Sequence, residues 1–201
     1  MPLDALLALA GFAFAGTWTP GPNNMMLAAS GATHGWRRTL PHALGVALGF
    51  PVMLFAVALG LGQAFEAFPA VRGAITVLGC AVMLWLGWRI ATSAPPDDET
   101  AAPVRRPLSF LEASAFQWVN PKAWVMCIGV AASFASGAHP VIEAAIAAGV
   151  FVVSGLTSSQ GWALFGAGIG RLLGRRGVRV FNAAMGLLVA LSALWLVLDP
   201  V

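Results

Sequence analysis

The chain has 201 residues, 59% of them hydrophobic and only 9% charged, with a formal net charge of +3. Soluble domains carry about 25% charged residues, so this composition excludes an ordinary water-soluble globule and indicates an integral membrane protein. The slight positive balance gives no ground for nucleic-acid binding. The two cysteines, Cys80 and Cys127, sit in apolar runs without metal or redox spacing and read as small packing residues.

Six apolar segments follow one another, at roughly 3–33, 40–62, 70–91, 109–136, 140–169 and 177–198. Each reaches the roughly 20 residues that a helix needs to cross a hydrocarbon core. The first has no basic n-region and no clear cleavage pattern, so it reads as a span and not as a removed signal peptide. Late in it stands Thr19-Pro20-Gly21-Pro22-Asn23-Asn24. Proline removes an amide donor and clashes with the preceding helical turn. In lipid, the freed backbone groups need neighbouring protein or a water-filled cavity. The second segment carries Gly45 and Gly49, a G-x-x-x-G pair suited to close helix packing, and the fifth carries Gly166 and Gly170. The longest loop, 93–107, holds Pro95-Pro96-Asp97-Asp98-Glu99 and Arg105-Arg106. The fourth segment opens on Ser109 and Glu112, an S-x-x-E capping box, and is interrupted at Asn120-Pro121-Lys122.

Arginine placement gives the expected orientation. Arg37, Arg38, Arg89, Arg105, Arg106, Arg171, Arg175, Arg176 and Arg179 fall after the odd segments, against Arg72 alone on the other side. By the positive-inside rule the arginine-rich loops are cytoplasmic and both termini lie outside. The central loop then separates two halves of three spans each, 1–92 and 108–201, with 93–107 as linker. An odd number of spans per half inverts the second relative to the first. The expected fold is an all-α membrane domain of six transmembrane helices in two inverted three-helix repeats, with proline-broken helices 1 and 4. An offset of 99 residues pairs Pro22 with Pro121 and Pro41 with Pro140, but identity elsewhere is near chance. Two breaks in corresponding halves are the sequence mark of a transporter's binding site.

Most charged residues have a structural account. Asp4 and Glu143 stand at helix starts and complement the dipole there; Glu112 belongs to the capping box. Glu112 and Glu143 also stay open as proton carriers. Lys122, about thirteen residues into the fourth segment, is too deep to snorkel easily. It either bonds carbonyls freed by the break or presents a cation to a substrate carboxylate, and the two readings are compatible. Asn23 and Asn24 sit where the first helix restarts, beside exposed amides and the positive end of its dipole. Asn23 reads as cavity-lining in preference to a simple cap, and Asn120 is its counterpart. Among Ser154, Thr157, Ser158, Ser159 and Gln160 of the fifth segment, Gln160 is the side candidate for the cavity, the others serving helix packing. Trp36, Trp85, Trp88 and Trp195 fall where an aromatic belt lies. Trp18, Trp118 and Trp124 flank the breaks, as pocket wall or as packing. His34, His42 and His139 lie near span ends without partners at metal-ligand spacing. No phosphate-cradling loop, hydrolase triad or selectivity-filter sequence is present, so neither an enzyme nor a cofactor is expected.

Thr19-Pro20-Gly21-Pro22-Asn23, the glycine-rich second segment and Asn120-Pro121-Lys122-Ala123-Trp124 together resemble the LysE/RhtB-type family of bacterial amino-acid exporters. The resemblance covers essentially the whole chain. It implies secondary-active efflux of amino acids or close derivatives across the bacterial cytoplasmic membrane, driven by the proton gradient. It also implies a functional core of Gly21, Pro22, Asn23, Asn120, Pro121 and Lys122. The absence of an obvious acid deep in any span favours a neutral zwitterion over lysine or arginine as substrate. The expected partners are thus a small amino acid and the lipid bilayer, with a homo-oligomer left open. The alternatives are a metal-ion exporter on a related six-helix scaffold, for which the acids and histidines stand too near span ends, and a non-transporting scaffold or electron-transfer component.

Overall fold

All regular structure among the described residues is helical, as the need to satisfy the backbone inside lipid requires. The computed structural model describes residues 1–93, 106–134 and 139–198; the side chains at 64–66, 69 and 194–198 are not included. Most of the expected linker, with Pro95 to Glu99 and Arg105, therefore lies outside the described residues, as does the Trp195 side chain.

The helices are α1 (Leu3–Trp18), α2 (Pro22–His34), α3 (Trp36–Ala56), α4 (Gly62–Ala67), α5 (Pro69–Ala91), α6 (Phe110–Phe116), α7 (Pro121–Phe134), α8 (Pro140–Leu172) and α9 (Arg175–Leu198). A π-helical turn, Val57–Leu61, extends α3, and Gly60 ends it at a φ of 121°, a conformation open to glycine. A short 3-10 turn, Gln117–Val119, joins α6 to the second break.

Four stretches are long and apolar enough to cross a membrane: Trp36–Leu61, Ala70–Ala91, Pro140–Leu172 and Arg175–Ala193. The α1–α2 pair, bent by 52° at the Thr19–Gly21 break, makes a fifth. The fourth apolar segment is divided more severely than a kinked span. α6 has 7 residues and α7 has 14, and neither reaches the length of a crossing on its own. The multi-pass, all-helical character read from composition is what the fold displays. Large apolar side chains such as Leu7, Val52, Val77, Leu111 and Val153 are exposed. In water that surface would be a liability; against acyl chains it is the expected face.

Small residues let the helices approach closely. Gly45 and Gly49 of α3 lie against α6, where a Cβ on Gly49 would stand 2.6 Å from Ser114 Cα. Gly31 of α2 and Gly166 and Gly170 of α8 face one another's backbone so closely that a Cβ on Gly166 would run into the Ala28 carbonyl. Both G-x-x-x-G pairs thus mark contacts, as expected. α5 and α9 meet in the same way, with a Cβ on Gly87 falling 2.7 Å from the Gly186 carbonyl oxygen. The largest buried cluster gathers Leu9, Phe50, Met53, Leu54, Trp124, Cys127 and Phe151, and Cys80 packs with Met83 and Val189 in a second, so both cysteines are core residues.

These contacts predict a contrast between two glycines of α8. Gly166→Ala should lower the unfolding temperature in detergent, with a cost of about 1–3 kcal/mol from overpacking. Gly149→Ala, which has nothing within 4 Å of its added carbon, should leave it unchanged or raise it slightly.

Candidate functional site

The first break is set by local chemistry. Pro20 and Pro22 contribute no amide hydrogen, and a residue before proline is pushed into extended backbone. Thr19 (ψ 132°) and Gly21 (φ −173°, ψ 178°) adopt it. α2 then starts with Pro22 in its first turn, where a missing amide is harmless. What remains is the end of α1, whose carbonyls have lost their helical donors. Asn24 supplies two: its side-chain amide donates to the Thr17 oxygen at 2.8 Å and to the Thr19 oxygen at 2.9 Å. Ser158 of α8 donates to Thr17 as well, at 2.7 Å. Asn24 therefore clamps the break.

The second break has its own fastening. Asn120 is extended at ψ 113° before Pro121, and its side-chain oxygen accepts from the Lys122 amide at 3.1 Å, capping α7. Trp124 Nε1 donates back to the Trp118 carbonyl at 2.9 Å. Gln117 is fully buried and donates to the Ala113 carbonyl at 2.8 Å.

The two breaks are tied to each other by a crossed pair of contacts. Asn23 of the first break donates to Gln117 Oε1 at 2.8 Å and accepts from Gln117 Nε2 at 3.2 Å, a reciprocal amide pair across 94 residues. Lys122 of the second break reaches the other way, its ammonium donating to the Thr19 carbonyl at 2.7 Å. The lysine stem lies over Gly21, where a Cβ would stand only 2.9 Å from Lys122 Cδ. A side chain at this position would displace the lysine stem.

Beside these ties lies a cavity of about 530 Å³ of empty volume that opens to the surface. Its polar wall includes Asn23, Asn120, Lys122, Ser158 and Ser159, with Gly21 and Asn24 beside them; Phe50, Met126 and Phe151 make it apolar elsewhere. Among the described residues, Lys122 is its one charged residue and no acid lines it. Of the residues singled out by sequence, Gly21, Asn23, Asn24, Asn120 and Lys122 come together here. Pro22 and Pro121 shape the breaks without lining the cavity. Gln160 is elsewhere: its side-chain oxygen accepts from Trp36 Nε1 at 2.7 Å. Trp18, Trp118 and Trp124 stand outside the lining and act as packing, Trp118 and Trp124 edge to face at 6.5 Å.

Glu112 and Glu143 stand apart from the cavity. Glu112 closes the capping box with Ser109, and both its oxygens meet the Arg106 guanidinium, at 2.6 and 2.7 Å. Glu143 is in the first turn of α8. Two residues escaped the sequence reading, Gln117 as a tie between the breaks and Ser158 as a cavity component. Gln117, four positions before Pro121, carried a signal in being a lone amide in an apolar run. Ser158 looked like a packing hydroxyl, and only the α1–α8 contact reveals what it faces.

A multi-pass helical protein whose polar cavity lies between two broken helices is built as a membrane transporter, not as an enzyme. The family comparison agrees: the model of the LysE type translocator matches residues 14–199, and the chain belongs to that family. The chain is similar to the cysteine/O-acetylserine efflux protein of Salmonella typhimurium, 32% identical over 179 residues that cover 86% of this chain and 85% of the relative. The protein of the same name in Escherichia coli K12 is 30% identical over 179 residues, 87% of this chain and 88% of the relative. No solved structure matches.

The clamp on the first break gives a sharp test. Asn24→Asp is nearly isosteric, but an ionised carboxylate only accepts hydrogen bonds, so both carbonyls lose the Asn24 donor and keep only Ser158 and Lys122. The variant should lose about 1–3 kcal/mol, seen as a lower unfolding temperature of the purified protein, and Asn24→Leu should behave alike.

Proposed function

We propose that the protein is a secondary-active exporter of small neutral amino acids or their close derivatives. The observation that carries this reading is the cavity between the breaks, with one lysine and no acid among its lining residues. A zwitterion brings a carboxylate for Lys122 and an ammonium for the Asn23 side-chain oxygen and the hydroxyls of Ser158 and Ser159. A lysine or arginine substrate would bring a second cation with no carboxylate to receive it. The similarity to proteins named for cysteine and O-acetylserine efflux supports the same substrate class.

In this reading the six apolar segments form two inverted three-helix repeats, 1–92 and 108–201, joined by 93–107. The arginine-bearing end is cytoplasmic and both termini are outside. The halves rock about the broken helices. Lys122 holds the Thr19 carbonyl when the site is empty and exchanges it for the substrate carboxylate when the site fills, so that loading loosens one of the two ties between the halves. The proton gradient drives export, with Glu112 and Glu143 as the candidate carriers.

The test is counterflow and uptake of O-acetyl-L-serine, L-cysteine and L-lysine in proteoliposomes with and without a pH gradient. The neutral compounds should be transported, with the gradient accelerating uptake, and lysine should not. Asn23→Ala and Lys122→Ala should abolish transport at normal abundance. Wild-type rates in both variants would overturn the site, and transport of lysine matching the neutral compounds would overturn the substrate class.

A further inference from the structure

The cavity between the breaks changes character along its length, and the helices that line it fix the order. On α8, Ser158 and Ser159 belong to its polar wall, Gly155 lies one turn earlier and Phe151 one turn before that. Residues three and four apart share a helix face, so these levels are stacked over about 10–12 Å of helix. α7 repeats the sequence, with Lys122 followed one turn later by Met126. On α3, Ala47 stands against Gly155, and Phe50 stands against Phe151 with the two rings 5.1 Å apart. A Cβ on Gly155 would lie 3.4 Å from the Ala47 carbonyl oxygen and 3.8 Å from its Cβ, which is ordinary van der Waals contact. The Met126 thioether ends over Gly16 of α1, where a Cβ would stand 2.5 Å from its terminal carbon. The methionine can lie there because residue 16 has no side chain.

We propose that this graded wall is the pocket for the substrate side chain, and that Gly155 sets which side chains it takes. The inference rests on the exporter reading above and deepens it. With the substrate carboxylate at Lys122 and its ammonium at Asn23 and the serine hydroxyls, the α-carbon is held at the polar level. The side chain then runs between Ala47 and Gly155 toward the Phe50–Phe151 pair and Met126. That gap exists because neither facing residue carries more than a methyl group. Beyond it the lining is two aromatic rings and a thioether, apolar and polarisable. Such a lining suits a thiol, a methyl group or an acetyl ester. A charged side chain would lose its water there and gain no partner. Met126 is unbranched and adaptable, so the far end adjusts to side chains of different length. The gap is walled by close-packed helix backbone and does not adjust. Short side chains stop at the gap, and longer ones pass through it.

The experiment compares a long side chain with a short one, O-acetyl-L-serine with reduced L-cysteine, for uptake into inside-out vesicles carrying the full-length protein. The readout is the ratio of the two uptake efficiencies. Gly155→Ala and, more strongly, Gly155→Val should lower this ratio. The fall should be about tenfold in Gly155→Val, the lower end of what one methylene is worth in an apolar pocket. Met126→Ala, which opens the far end, should raise the ratio. Gly149→Ala, on the same helix with nothing within 4 Å of its added carbon, should leave it unchanged. Damage to packing alone would slow both compounds together and leave the ratio where it is. A wild-type ratio in either Gly155→Val or Met126→Ala would overturn the side-chain pocket, while transport of both compounds by the wild type would keep the exporter reading. Wild-type protein that transports neither would overturn the exporter reading and this inference with it. If Gly155→Val does not insert, Gly155→Ala decides, because alanine is the better helix former and its Cβ meets only ordinary contacts.

Discussion

A carbonyl oxygen released from its helix inside a membrane has no bulk water to bond, and the first break releases several, those of Thr17 and Thr19 among them. The architecture around the site follows from satisfying those atoms. Asn24 reaches both, Ser158 arrives from α8 for one, and Lys122 arrives from α7 for the other. Each donor fixes a helix relative to the break, so the same bonds that make the break tolerable also locate α7 and α8 beside it. Removing the break would remove the reason for these helices to meet where they do.

The polar side chains at the two breaks divide into holders and candidates for exchange. Asn24 and Asn120 are almost fully buried and engaged with backbone of their own break. Asn23 and Lys122 are only partly buried, line the cavity and bond across to the opposite break. These contacts span the two breaks and border open volume. The breaks are alike in placing an extended residue before a helix-starting proline. The side chains differ, an amide pairing with an amide in one direction and an ammonium reaching a carbonyl in the other.

Close packing elsewhere makes this possible. Glycines on α2, α3, α5, α8 and α9 bring backbones into direct contact, leaving the cavity at the breaks as a gap in a tightly joined set of helices. His42 shows how a residue's sequence context can mislead. It stands near the start of an apolar segment, where interfacial exposure is the natural reading, yet it is buried.

Much of the fold was legible in the chain itself. Sustained apolar runs fix the helices, proline chemistry fixes where Thr19–Gly21 and Asn120 must leave helical geometry, and Ser109 with Glu112 marks the start of α6; all are consequences of local residue type. The G-x-x-x-G pairs likewise announced close contacts, though not with which helix. The tertiary structure alone decided the partners: Asn23 with Gln117 across 94 positions, Lys122 with Thr19 across 103, and Gln160 with Trp36 instead of the cavity. The fourth apolar segment, already broken at Asn120-Pro121 in the sequence, takes the form of helices of 7 and 14 residues. The physical reason is range. Propensity and periodicity act within a few turns, whereas the donor that reaches a freed carbonyl is chosen by how helices distant in sequence pack.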